Sequence, residues 1–170
     1  MTRNQPAQAH RVTPIDPAWR STIFGSCDGL NDRQYRIGQR QFAAMKHAFR
    51  FNGGFMDTDE IALRLRCCCD QPVSRLARWI VSRSVVCISW EAQTLMPGFQ
   101  FARANMSIRP CCAAILDELR DLMDNWELGL WFAAPNAHLD YAAPVALLAR
   151  EGAEVLRAAR RERLLDRCHL

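Results

Sequence analysis

Apolar residues recur at helical spacing in the first patterned stretch, residues 34–51. Ile37, Phe42, Met45 and Phe49 share one face, and Asn52-Gly53-Gly54 stops the run. Arg36, Arg40, Lys46, His47 and Arg50 hold the other face, as solvated charge or as a support for phosphates. Asp57 or Thr58 suits the N-cap of a second helix carrying Ile61, Leu63 and Leu65, with Arg64 and Arg66 between and beside them. Cys67-Cys68-Cys69-Asp70-Gln71 breaks that pattern. Pro72, at a favoured first helical position, opens a third helix that runs to Arg83. Val73, Leu76, Ala77 and Ile80 follow helical spacing and are expected inside, with Ser74, Arg75, Arg78 and Ser82 outside. Val85–Trp90 and Thr94–Met96 read as a β pair joined around Glu91-Ala92-Gln93. Pro97–Phe101 reads as an exit strand into a connector ending at Pro110.

The rest of the chain is helical in pattern. Cys112, Ile115, Leu116, Leu119, Leu122 and Met123 form one face of a helix, and Asp117, Glu118, Arg120 and Asp121 the other. Asp124 and Glu127 stand three apart, as a capping box requires, before the apolar run Trp126, Leu128, Leu130, Trp131, Phe132. Pro135 ends that helix and Asn136 suits a turn. Pro144 starts a short helix with Val145, Leu147 and Leu148. Gly152 punctuates it, and a last helix carries Val155, Leu156, Ala159 and Leu164. Arg157, Arg160, Arg161, Arg163 and Arg167 crowd that end, paired along the helix with Glu154, Glu162 and Asp166 or turned to an acidic partner. The expected fold is mainly α: a helix-turn-helix with a small β-hairpin, then a compact four-helix C-terminal unit. The expected domains are a flexible N-terminal arm over 1–33, a helix-turn-helix-like domain with its hairpin over 34–101, a connector over 102–109 and a helical domain over 110–170. Three prolines and no periodicity mark the arm, where Trp19, Ile23 and Phe24 could dock on the body and Arg3 and Arg11 read as solvated charge.

A short helix, a turn and a second, arginine-bearing helix are the physical design of a major-groove reader. Arg64, Ser74, Arg75, Arg78 and Arg83 are therefore the candidate DNA-binding residues. With the hairpin, this unit resembles the winged helices of excisionase and MerR-like regulators. Their frequent Arg-Trp-Ile at the end of the second helix stands here as Arg78-Trp79-Ile80. The wing departs from that pattern: it has no basic residue and carries Glu91. A wing that touches phosphates should be positive, so either this one is only a structural cover or the DNA-binding half as a whole is vestigial.

A second resemblance rests on Trp126-x4-Trp131-Phe132, Pro135-Asn136-x2-Leu139 and Pro144-x2-Leu147-Leu148. These are similar to the toxin-binding domain of Xre/MbcA/ParS-type bacterial antitoxins, over about Pro110 to Leu165. That family usually has a glycine pair after the turn leucine, where this chain has Asp140 and Tyr141. The resemblance implies a unit that occludes a cognate toxin, often one that attacks NAD or transfers ADP-ribose, in a protein that also represses its own operon. Trp126, Trp131, Pro135, Asn136, Leu139, Pro144, Leu147 and Leu148 would be the toxin-binding residues. Two tryptophans on one short helix need cover, either from their own domain or from a partner.

Composition narrows this further. Of 170 residues 22 are basic and 18 acidic, a net charge of +4, so a nucleic-acid reading must rest on local clustering. Lys46 is the only lysine, and arginine suits phosphate and guanine through its planar fork. No basic-then-apolar start indicates export, and no apolar run is long enough to span a membrane. The eight cysteines are thus expected as reduced thiols in a cytoplasmic bacterial protein. Five of them fall in two adjacent groups, Cys67-Cys68-Cys69 and Cys111-Cys112, rather than at C-x2-C spacing, so neither metal nor cofactor is expected. His10, His47, His138 and His169 are scattered, and no nucleophile elbow or phosphate loop is present, so no catalytic residue is assigned and an enzyme is not expected. The reading is an antitoxin-like protein with a toxin as partner, operator DNA as a second ligand, and a homodimer as the expected assembly. The alternative is a stand-alone DNA-binding transcriptional regulator whose C-terminal unit serves dimerisation. A redox-responsive protein using the cysteine triplet is a third class.

Overall fold

A computed structural model describes residues 32–167. The arm expected over 1–33 falls outside the described residues but for its last two. Contacts group the chain into Met1–Ile37 and Gly38–Leu170. The described part of the first group is the opening of the first helix, and the remaining described residues belong to the second.

The fold is mainly helical with a small three-stranded antiparallel sheet. Helix α1 (Asp32–Phe49) buries Phe42, Met45 and Phe49 of the expected stripe, but Ile37, the fourth, is exposed. A 3-10 turn, Arg50–Asn52, leads to Gly53 and Gly54, whose φ angles of 102° and 62° favour glycine. Gly53 must also be bare where it meets Gly98. A Cβ on Gly98 would lie 2.7 Å from the Gly53 carbonyl oxygen, so two glycines let the end of α1 touch the end of the sheet.

Strand β1 (Phe55–Asp57) was not expected, since three residues cannot display alternation. It pairs with β3 (Gln93–Pro97), placing Met56 opposite Met96; β2 (Ile88–Trp90) lies on the other side of β3 with Ser89 opposite Thr94. Glu91 and Ala92 alone join β2 to β3, both at positive φ, 46° and 62°, as a two-residue hairpin demands even without its usual glycine. Pro97–Phe101 is not a strand: Gly98–Gln100 forms a 3-10 turn.

Asp57 caps α2 (Thr58–Arg66), its carboxylate accepting the Glu60 amide at 2.7 Å. Ile61 and Leu65 enter the core, whereas Leu63 is exposed. In α3 (Pro72–Val81) the inward face is turned from the expected one. Leu76 is buried with Trp79 and Ile80 beside it; Val73 and Ala77 are exposed. The cause is the Trp79 indole, which packs 5.8 Å from the Phe101 ring and outweighs one valine and one alanine.

Residues 102–109 double back rather than link. Phe101 bridges to Ile108, the Arg109 amide donates to the Gln100 carbonyl, and Met106 is buried. Fully buried Gln100 closes this corner: its side chain donates to the Val86 carbonyl at 3.0 Å and accepts the Val86 amide at 2.8 Å. Beyond it, α4 (Pro110–Leu119), α5 (Asn125–Ala133), α6 (Pro144–Leu147) and α7 (Gly152–Arg167) complete the chain. Cys111 meets Gly152 at one end of the α4–α7 pair and Glu118 meets Arg160 and Arg163 at the other, so the two helices run the same way. No break in packing separates 38–101 from 110–170. Rings of both meet in continuous files: Phe55, Phe42, Trp90 and Trp126 stacked in one, and Phe49, Phe99, Phe132 and Trp131 tilted or edge-on in the other. Among the described residues, no helix is long and apolar enough to cross a membrane.

Candidate functional site

The α2–α3 pair and its turn carry the first candidate surface. Ser74 and Arg78 are exposed and Arg75 half-exposed, all on the solvent side of α3. Neither arginine is in an ion pair among the described residues. Both line a cleft of about 390 Å³ with Cys68, Cys69, Asp70 and Gln71. Arg64 is also exposed, but its guanidinium is held 2.7 Å from the Glu60 carboxylate one helical turn away. Arg83 does not belong to this surface. Its guanidinium donates to the carbonyls of Arg120 and Met123, so it caps the end of α4 and ties α3 to the C-terminal helices. Nothing at sequence level signals that role, because the partners lie 37 and 40 residues away. The hairpin is a cover: Trp90 lies flat between Phe42, at 4.6 Å, and Trp126, at 5.7 Å.

The second surface was expected on α5, its following turn and α6. The capping box of α5 is present as expected. The Glu127 amide donates to the Asp124 carboxylate at 2.8 Å, and the Asp124 amide to the Glu127 carboxylate at 2.7 Å. Burial holds the Asp124 carboxyl above the usual carboxylate range, against the lowering effect of that hydrogen bond. The anchors themselves, however, are largely internal. Trp126, Trp131, Asn136, Leu139, Pro144 and Leu148 are all buried; Leu147 is half-buried and only Pro135 is exposed. A unit this small must use its large apolar side chains for its own core. Trp126 donates to the Gln41 side-chain oxygen at 3.0 Å, and Trp131 stands edge-on to Phe132, its indole N–H without a partner among the described residues.

Asn136 organises the turn instead of facing a partner. Its side-chain oxygen accepts the His138 amide at 2.8 Å, its carbonyl accepts the amides of Leu139 and Tyr141, and its own amide donates to Ala142. Asp140 and Tyr141 then both take the left-handed conformation, φ 50° and 62°. This places Tyr141, 63% exposed, on the outside beside exposed Pro135 and His138. Sequence reasoning missed Tyr141; its clue was an aromatic residue where small ones would serve a turn best. At the basic end of α7 three arginines are paired, while exposed Arg161 only approaches the His138 ring nitrogen at 3.5 Å. Arg160 and Arg163 share Glu118, at 3.1 and 3.6 Å, and Arg157 pairs with Glu154.

Two thiols stand out at the start of α4. A hydrogen bond from Cys112, opposed by burial and aided by Arg109, brings the Cys111 thiol down to about 7. The same hydrogen bond, with burial, pushes Cys112 far up. Among the described residues no group of three or more His, Cys, Asp or Glu side chains could hold a metal ion. Compared with protein-family models, with curated proteins and with solved structures, the chain matches none.

Proposed function

We propose that this chain is an antitoxin-like regulator, blocking a cognate toxin through the outer side of its C-terminal helices and contacting operator DNA through α3. One observation carries the first half. At the two positions where the resembling antitoxins have glycines, Asp140 and Tyr141 adopt the backbone that glycine prefers. A non-glycine residue there costs about 1–2 kcal/mol, and a side chain kept at such a cost has a use outside the fold. Pro135, Tyr141 and Leu147 replace the buried tryptophans as the contact residues. Tyrosine suits this role, offering a rigid apolar body with a polar tip.

Co-expression with a toxin encoded beside this gene tests the reading. The wild-type chain should relieve growth arrest. Tyr141→Gly keeps the turn and deletes only the side chain, so it should fold by circular dichroism yet lose relief when combined with Leu147→Asp. Full relief by that double variant, or no toxin-like neighbour, would remove the antitoxin reading.

A stand-alone regulator is the second reading, favoured by the burial of six of the eight expected anchors together with the open Arg75 and Arg78. Replacing both arginines by alanine should weaken binding to the upstream DNA and flatten its salt dependence by about two phosphate contacts. An unchanged affinity and slope would mean that α3 does not enter the duplex.

A further inference from the structure

The cleft between the end of α2 and the start of α3 combines thiols with guanidinium groups that meet no carboxylate in an ion pair among the described residues, a pairing that neither toxin blocking nor duplex binding requires. Cys67 and Cys68 are exposed and Cys69 is half-buried, packed by its inner side on the core formed by Ile61, Leu65 and Leu76. Cys68 and Cys69 therefore differ in access although they are neighbours. Across the cleft stand Arg75 and Arg78, one turn apart on α3. Their positive charge is offset on this wall by one carboxylate, that of exposed Asp70. A space of about 390 Å³ is large enough for part of a small peptide but not for a protein segment with its own fold.

We propose that this cleft is a modification site at which Arg75 and Arg78 hold an anionic low-molecular-weight disulfide while Cys68 exchanges with it. Guanidinium groups grip carboxylates through paired N–H donors. That contact would set the disulfide beside an accessible thiol. In the exchange, the Cys68 thiol first gives its proton to solvent. Its thiolate attacks one sulfur of the disulfide; a new sulfur–sulfur bond forms as the old one breaks. The other half leaves as a thiolate and takes up a proton. Cys68 is oxidised, the leaving half is reduced, and no further reagent is consumed. The adduct fills the cleft and brings its carboxylates against the arginines, so if α3 binds a duplex it would compete with phosphate.

The test reads the adduct on the free, full-length protein, so its outcome does not depend on whether α3 binds DNA. Native protein is exposed to oxidised glutathione, or to cystamine, a cationic disulfide, at low salt. Each thiol is then followed by peptide mass spectrometry. Cys68 should react about tenfold faster with the anionic reagent, a gap of the size that local charge gives to steered encounters. Arg75→Gln with Arg78→Gln should close the gap at Cys68 and leave the rate at Cys111, which lies in another part of the fold, unchanged. Salt should close it too. Equal rates for the two reagents at Cys68, a gap that survives the double substitution, or an adduct that forms on Cys67 in preference to Cys68 would each overturn the proposal.

Discussion

Two tryptophans on one helix, five residues apart, do different work. Trp126 satisfies its indole N–H on Gln41 and closes a file of stacked rings; Trp131 buries an N–H with no partner among the described residues. An unpaired buried donor costs about 1–3 kcal/mol, whereas a typical satisfied bond contributes about 1 kcal/mol. Phenylalanine removes the donor in both cases. Trp126→Phe should therefore cost about 2–4 kcal/mol more than Trp131→Phe in urea denaturation, because the first loses a satisfied bond and the second removes a buried donor that has none. Equal losses would mean that the Trp131 N–H finds a partner in solution. This difference was out of reach of the sequence. Both residues read there as the same large apolar surface seeking cover, and the identity of the cover lay 85 residues away in Gln41.

Among the elements, α5 was the most legible, since its cap, apolar run and stop are all local signals. The Asp124–Glu127 box, the end before Pro135 and the Asn136 turn all formed where spacing placed them. The face of α3 was less legible, because period alone weighs Val73 and Ala77 like any other apolar residue, while packing is decided by the bulk of Trp79. Strand β1 was illegible: it exists only because β3 offers it a ladder. The α5 cap yields a pH prediction. Burial raises the Asp124 carboxyl above its ordinary value, so on folding it takes up a proton in the window just above that value. Its contribution to stability therefore falls as pH rises through that window. Asparagine caps about as well as aspartate but does not titrate. Asp124→Asn should thus become more stable relative to wild type as pH goes from about 4 toward neutrality. A stability difference that stays flat over that range would show that Asp124 titrates normally.

At the scale of the molecule, the sequence suggested two bodies joined at 102–109, and that division does not describe the packing. Hydrophobic period identifies faces to be buried but not what buries them. Here the apolar face of α5 is covered by α1 and the sheet as well as by its own C-terminal neighbours. Gly129 marks the crossing: a Cβ there would stand 2.7 Å from the Met45 sulfur and 3.0 Å from an Ile88 methyl. The helix comes this close because glycine leaves room. Arg83 adds a polar tie at the end of α4. A fragment starting at residue 110 would lose Trp90 from against Trp126 and Phe99 from against Phe132. Exposing each such side chain forfeits about 1.5–3 kcal/mol, and a domain of this size has only about 5–15 kcal/mol in all. The isolated fragment 110–170 should therefore show helical far-ultraviolet dichroism without a cooperative thermal transition, whereas the chain from residue 32 unfolds in one step. If the fragment melts cooperatively, α4–α7 form an independent unit and the stacked rings are only its contact with the first half. Gly129→Ala separates the two outcomes from the other side. In a shared core the added methyl overpacks α1 against α5 and costs about 1–3 kcal/mol. Between two independent bodies it would loosen their contact and leave each one's own transition where it was.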